Sequence, residues 1–131
     1  MLFTKCIYSP RIEADGLRIS IMSRHTLPNG VTPDPRITPE NYDFWFTHLA
    51  PPPKLIGEYY KRGLTFEIFS QGYREYLALP TTKEEVRILA ETALTFDITV
   101  LCVESTPKKC HRRLLAEACQ REFPKLYIEH R

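Results

Sequence analysis

The sequence predicts a single α/β domain with a mainly parallel sheet and helices on both faces, a Rossmann-like layout. Three observations carry that expectation. Apolar, β-branched runs at residues 2–8, 17–22, 98–103 and 126–128 read as strands. Between the second and third runs, apolar residues recur at three- and four-residue steps, the period of helices. The chain then closes as strand, helix, strand, an order that strongly favours a parallel pair joined by a right-handed crossover.

Taken in order, residues 2–8 and 17–22 alternate apolar and polar side chains, with Pro10, Asp15 and Gly16 punctuating the connection. That connection is short for a helical crossover, and whether the two strands are neighbours stays open. Four prolines and a glycine between residues 27 and 39 forbid regular structure there. Thr38-Pro39-Glu40 is a helix-start signal, followed by Tyr42, Trp45, Phe46 and Leu49 at helical spacing. Pro51, Pro52 and Pro53 end that segment and launch a short helix over residues 55–60. Thr65 caps the next helix, carrying Phe66, Phe69, Tyr73, Tyr76 and Leu77. Thr82 with Glu85 makes a capping box ahead of Val86, Leu89, Ala90 and Ala93. Residues 98–103 read as a strand buried on both faces. Thr106-Pro107 starts the last helix, with Cys110, Leu114, Ala118 and Phe123 near one stripe, and Pro124 ends it.

Composition bounds the function. At 131 residues and 15.3 kDa the chain is one domain, with 43% apolar and 26% charged residues. A formal charge of +2 is too small to argue for nucleic acid on its own. No run approaches the roughly 20 apolar residues that span a bilayer. The first residues carry no secretory signal pattern, and four cysteines in a chain with a core of its own read as reduced thiols; both point to the cytoplasm.

In open parallel sheets, ligands bind beyond the carboxyl ends of the strands. Ser23-Arg24-His25 follows the second strand, and residues 102–113 follow the penultimate one. The second passage concentrates reactive side chains, and four chemistries compete for it. An anion site would use the free N–H groups of a helix start, with Ser105, Thr106, Lys108, Lys109, Arg112 and Arg24 around it. Against that, Thr106 can simply cap the helix and the lysines can be its solvated face. A nucleophilic thiol would be Cys110, near two lysines and beside His111, although adjacent helical residues do not face each other. Packing as a small apolar residue is the commoner fate of such a cysteine. The spacing from Cys102 to Lys108 resembles the phosphate loop of tyrosine phosphatases, but it has lysine for arginine, lacks glycine, and carries Glu104, which would repel a phosphate. A metal could take Cys102, Cys110, His111 and His25, yet the Cys-x7-Cys-His spacing is not a usual zinc spacing, so no metal and no cofactor is assigned. Cys6 and Cys119 read as core fillers.

Leu101-Cys102-Val103-Glu104 followed by Cys110-His111-Arg112-Arg113-Leu114 resembles the C-terminal signature of the domain-of-unknown-function 488 family. Gly16 to Ile21, Ser23-Arg24 and Pro28-Asn29-Gly30 look like the second-strand motif of its YeaO-like branch, with Ser23 where aspartate is usual. Trp45 through Leu49-Ala50-Pro51 and Phe69 through Tyr73 are similar to that branch as well. The resemblance implies a small, mostly prokaryotic protein of Rossmann-like architecture, and it draws attention to Arg24, Cys102, Glu104, Cys110, His111 and Arg112.

The expected function is binding of a small anionic ligand, a nucleotide or phosphoester, at the strand ends. Arg24, Glu104, Ser105, Thr106, Lys108 and Arg112 are the ligand-binding candidates, and Cys110 with His111 are the catalytic ones. Two other classes stand beside it: a nucleophilic or redox cysteine enzyme on Cys102 and Cys110, and a nucleic-acid module using Lys108, Lys109, Arg112, Arg113 and Arg121. No membrane partner is expected.

Overall fold

A computed structural model describes residues 1–104 and 108–131. Five strands form one sheet: β1 (Leu2–Cys6), β2 (Leu17–Ser20), β3 (Phe44–Trp45), β4 (Ile98–Cys102) and β5 (Ile128–His130). Every pairing is parallel and the order is β3-β2-β4-β1-β5. The described helices are α1 (Pro53–Arg62), α2 (Phe66–Leu77), α3 (Pro80–Thr95) and α4 (His111–Glu122). Short 3-10 turns occupy Glu13–Asp15 and Thr47–Leu49. The parallel α/β sheet and its closing strand–helix–strand unit are as the sequence predicts. β1 and β2 are not neighbours, because β4 inserts between them.

β4 is the centre of the sheet, and all five of its residues are buried. Alternation along the strands sends Leu2, Ile19, Ile98 and Val100 to one face. There they meet Tyr73 and Leu77 of α2, Val86, Leu89 and Ala90 of α3, and Leu114, Leu115 and Ala118 of α4. Fully burying a leucine such as Leu114 or Leu115 stabilises by about 1.5–3 kcal/mol. Thr65 caps α2 as expected, its hydroxyl accepting from the Ile68 N–H. No described helix is long and apolar enough to cross a membrane.

The opposite face is covered differently from the expected pattern. The four α-helices gather on the first face, while the second carries the Glu13–Asp15 turn and the proline-rich loop around Ile37 and Tyr42. Ten residues between β1 and β2 cannot supply a full helical crossover, and the prolines that follow β2 forbid one. Charge fills part of this face. Asp15 and Arg18 are both fully buried and pair at 2.8 Å, and Lys5 reaches Asp15 at 3.1 Å. Gly16 lies at φ 62°, and a Cβ there would fall 2.0 Å from the Asp97 carbonyl oxygen, so only glycine fits at the entry to β2.

Residues 39–49 correct the predicted helix. Phe44–Trp45 is instead the edge strand β3, tied to β2 through Asp43 N–H to Arg18 O (2.7 Å) and Phe46 N–H to Ser20 O (2.8 Å). Tyr42, Trp45, Phe46 and Leu49 satisfy a helical spacing by coincidence, and strand pairing overrides it. The Thr38 hydroxyl is engaged in a local turn with Asn41 instead of capping a helix. At α3, Pro80 at the first position moves the start two residues ahead of the Thr82–Glu85 box, leaving Thr82 buried within the helix. Helix α4 begins at His111 with Cys110 as its N-cap. The last strand is Ile128–His130, later than residues 126–128, because Leu126 turns into the core after Pro124.

Candidate functional site at the carboxyl edge of the sheet

The connections leaving β1 and β4 run to opposite faces. The β1 connection lies over the loop-covered face, where the Thr99 hydroxyl donates to Asp15 O, whereas β4 leads into α4 on the helical face. Diverging connections open a crevice beyond the strand ends. A cavity of about 460 Å³ lies there. Tyr8 follows β1 into it, Ser23 and Arg24 follow β2, and Cys102 and Glu104 come from the end of β4. His111 enters from the start of α4, Tyr60 and Lys61 from α1, and Phe69 from α2. Arg24, Cys102, Glu104 and His111 therefore line one cleft.

At its floor, three side chains converge. The ligand atoms of Cys102, Cys110 and His111 lie within 4.8 Å of one another. His111 Nε2 is 2.9 Å from the Ile21 carbonyl oxygen, which can only accept, so this nitrogen carries the proton. Its Nδ1 consequently offers a lone pair toward Cys102 Sγ, 3.5 Å away. The thiol that pairs with the imidazole is thus Cys102 rather than Cys110. Burial pushes the Cys110 thiol well above its ordinary value, helped by its contact with Cys102. Four cysteines are free, and Cys119 is a core filler as expected, while Cys6 is half-buried with its Sγ on Val103 O.

Arg112 is fully buried. Its Nη1 donates to the Glu104 main-chain oxygen and contacts Cys110 Sγ at 3.6 Å. Among the described residues, its Nε and Nη2 have no acceptor. Around the cleft, Asp34 is held by Arg36 at 3.1 Å and by Tyr8, which keep its carboxyl below the usual range. Burial and the bond to Asp34 push the Tyr8 phenol up to about 12. Glu104 accepts the Tyr60 hydroxyl at 2.9 Å. Arg24 and Lys61 are exposed and have no carboxylate partner among the described residues. Gly30, at φ 74°, lets the loop close on Arg24: a Cβ there would come 2.9 Å from its Nη1.

Several expectations are revised. Ser105 and Thr106 lie outside the described residues. Lys108 is exposed in a turn ahead of α4 and is not among the residues that line the cleft. Burial of Arg112 removes it from any basic surface for nucleic acid, and Arg113 is paired with Glu117 at 2.8 Å. His25 does not join the cysteines. Its Nε2 sits 2.8 Å from Ser20 Oγ and its ring stacks on Trp45 at 3.7 Å. Tyr8, Tyr60, Lys61 and Phe69 line the cleft without any motif in the sequence to mark them. Tyr8 had a signal, as it directly follows a strand, but α1 and α2 reach the cleft only through tertiary packing.

Burial lowers the His25 pKa from 6.5 to about 4. The neutral ring is favoured in the fold, so the unfolded chain takes up a proton first as the pH falls. Stability is expected to drop between about pH 6.5 and 4, by about 1–3 kcal/mol for this partly exposed group. Urea unfolding across that window should show a shallower pH slope in His25→Gln than in wild type, and an identical slope would contradict the assignment.

The fold and site define a Rossmann-like α/β protein with a Cys–His centre beneath a cleft at the carboxyl edge of its sheet. The family model DUF488-N3a, described as the active DUF488-N3 subclade, matches residues 2–122, and the chain belongs to the DUF488 family. Neither the curated proteins nor the solved structures return a match.

Proposed function

We propose that the cleft binds a small anionic ligand of the nucleotide or phosphoester class. The observation that carries this reading is a pair of cations, Arg24 and Lys61, that line a sheet-edge cavity and have no ion-pair partner among the described residues, while the carboxylates in the same lining, Asp34 and Glu104, are engaged by Arg36 and by the Tyr60 hydroxyl. A volume of about 460 Å³ suits a small molecule. Tyr8 and Phe69 contribute aromatic wall to the cavity. Glu104 argues against a bare phosphate and for a ligand that also presents hydroxyl or amino donors, which a nucleotide does. Arg36 is engaged by Asp34 and by the Tyr8 ring, its guanidinium 4.2 Å from the ring centre, so it shapes the wall and leaves the charge to Arg24 and Lys61.

Thermal unfolding at low salt with pyrophosphate, AMP and adenosine tests the reading. A ligand at 100 times its Kd adds about 2.7 kcal/mol, a visible rise in Tm. AMP is expected to raise Tm in wild type by more than pyrophosphate does, and both are expected to lose most of their effect in Arg24→Ala/Lys61→Ala. Absence of stabilisation by either anion would overturn the proposal.

A further inference from the structure

We propose that Cys102 Sγ, Cys110 Sγ and His111 Nδ1 bind one divalent cation of the zinc class at the floor of the cleft, leaving one coordination position open. This goes beyond the anion reading and stands on different residues. The three ligand atoms already lie within 4.8 Å of one another. Zinc bonds of about 2.3 Å to sulfur and 2.0–2.1 Å to nitrogen, set tetrahedrally, imply a sulfur-to-nitrogen edge of about 3.6 Å. Cys102 Sγ and His111 Nδ1 are 3.5 Å apart.

The imidazole is oriented for this task. Its Nε2–H donates to the Ile21 carbonyl at 2.9 Å, which leaves Nδ1 as the lone-pair nitrogen. Metal-bound histidines are commonly fixed in this way by a bond from their other nitrogen. The ligands also sit on rigid elements. Cys102 closes β4 in register with Cys6, Cys110 caps α4, and His111 is the first residue of that helix. A Cys-x7-Cys-His spacing looks wrong for a zinc knuckle, but here a strand end and a helix start bring the ligands together, so sequence distance does not govern the geometry.

Charge and softness agree. Two thiolates select zinc-class ions over magnesium or calcium. The Arg112 guanidinium lies 3.6 Å from Cys110 Sγ and can donate to the thiolate, stabilising its charge. Binding removes one proton from each thiol, so two protons go to solvent per ion and no oxidant or reductant takes part. Among the described residues no fourth ligand joins the group, the pattern of sites that keep a position for water or a substrate atom.

Cobalt(II) titration of the reduced, chelator-stripped full chain is the test. One equivalent is expected to produce thiolate-to-cobalt charge-transfer absorption and strong four-coordinate d–d bands, both displaced by zinc. Cys110→Ser and Cys102→Ser, checked for folding by circular dichroism, should lose or strongly reduce the charge-transfer band. His111→Gln should weaken cobalt binding by tenfold or more, whereas Cys6→Ser and Cys119→Ser should bind as wild type. Zinc X-ray absorption of the loaded wild type, which needs no variant, should show two sulfur ligands. No thiolate absorption in the folded wild type, an all-oxygen-and-nitrogen zinc shell, or an undiminished band in Cys110→Ser would overturn the proposal. The two proposals fail separately: the Arg24→Ala/Lys61→Ala protein should keep its cobalt spectrum, and the pyrophosphate shift can be measured with a chelator present.

Discussion

Arg18→Met should destabilise the protein by about 3–5 kcal/mol, the cost of leaving one member of a buried pair without the other. Arg18 and Asp15 are both fully buried. The guanidinium donates from Nε to Asn41 O at 2.7 Å, from Nη1 to Asp15 Oδ2 at 2.8 Å, and from Nη2 to Ser9 O at 3.0 Å. Methionine matches the length of the stem but strands these acceptors and removes one of Asp15's three cationic partners. Lys5 at 3.1 Å and Arg131 at 3.4 Å keep the carboxylate from standing alone, which places the expected loss inside that range rather than above it. The measurement is the urea midpoint at constant m. A change under about 1 kcal/mol would mean the network is not what holds the loop face to the sheet.

The same network contributes to the acid limit of the fold. Burial works to raise the Asp15 pKa, but the Ile12 N–H, Arg18 and Lys5 together outweigh it and hold the carboxyl below its usual value. A depressed carboxyl pKa contributes stability above the unfolded value of about 3.9 and loses it as the pH falls further. His25 acts in the window above that, so the two groups separate along the pH axis.

How much of this was legible in the sequence depends on whether a feature is local. The runs around Leu2 and Ile19 declared themselves by alternation and the run at Val100 by its short, apolar, β-branched character, and neither signal needs tertiary information. The edge strand at Phe44–Trp45 did not, because its identity is conferred by pairing with Ile19 and Ser20. The rule that ligands gather at carboxyl strand ends located Arg24, Cys102 and Glu104 correctly in one cleft. It could not choose between Cys102 and Cys110 as the partner of His111, since that depends on α4 starting at His111 itself. Nor could it see that two arginines of ordinary appearance, Arg18 and Arg112, are the largest fully buried side chains of the protein.

Those two arginines predict opposite outcomes, and the difference is satisfaction. Arg18 finds acceptors for its three nitrogens, whereas Arg112 has only Nη1 engaged, on Glu104 O and Cys110 Sγ, with Nε and Nη2 unpartnered among the described residues. Each orphaned buried donor costs about 1–3 kcal/mol, and a guanidinium stripped of water without a carboxylate costs more. Arg112→Met is therefore expected to raise stability by about 1–3 kcal/mol, after about 1 kcal/mol is lost with the Glu104 bond. In the proposed metal site the guanidinium beside Cys110 Sγ has a use, since it would stabilise the metal-bound thiolate. The substitution should then weaken cobalt binding by about 10–100-fold, the usual loss when a group that hydrogen-bonds a metal ligand is removed. Urea unfolding of the metal-free variant and cobalt titration of the same preparation read the two effects independently. A variant that is less stable and binds cobalt as wild type would make Arg112 a structural residue like Arg18, and the contrast between them would be lost.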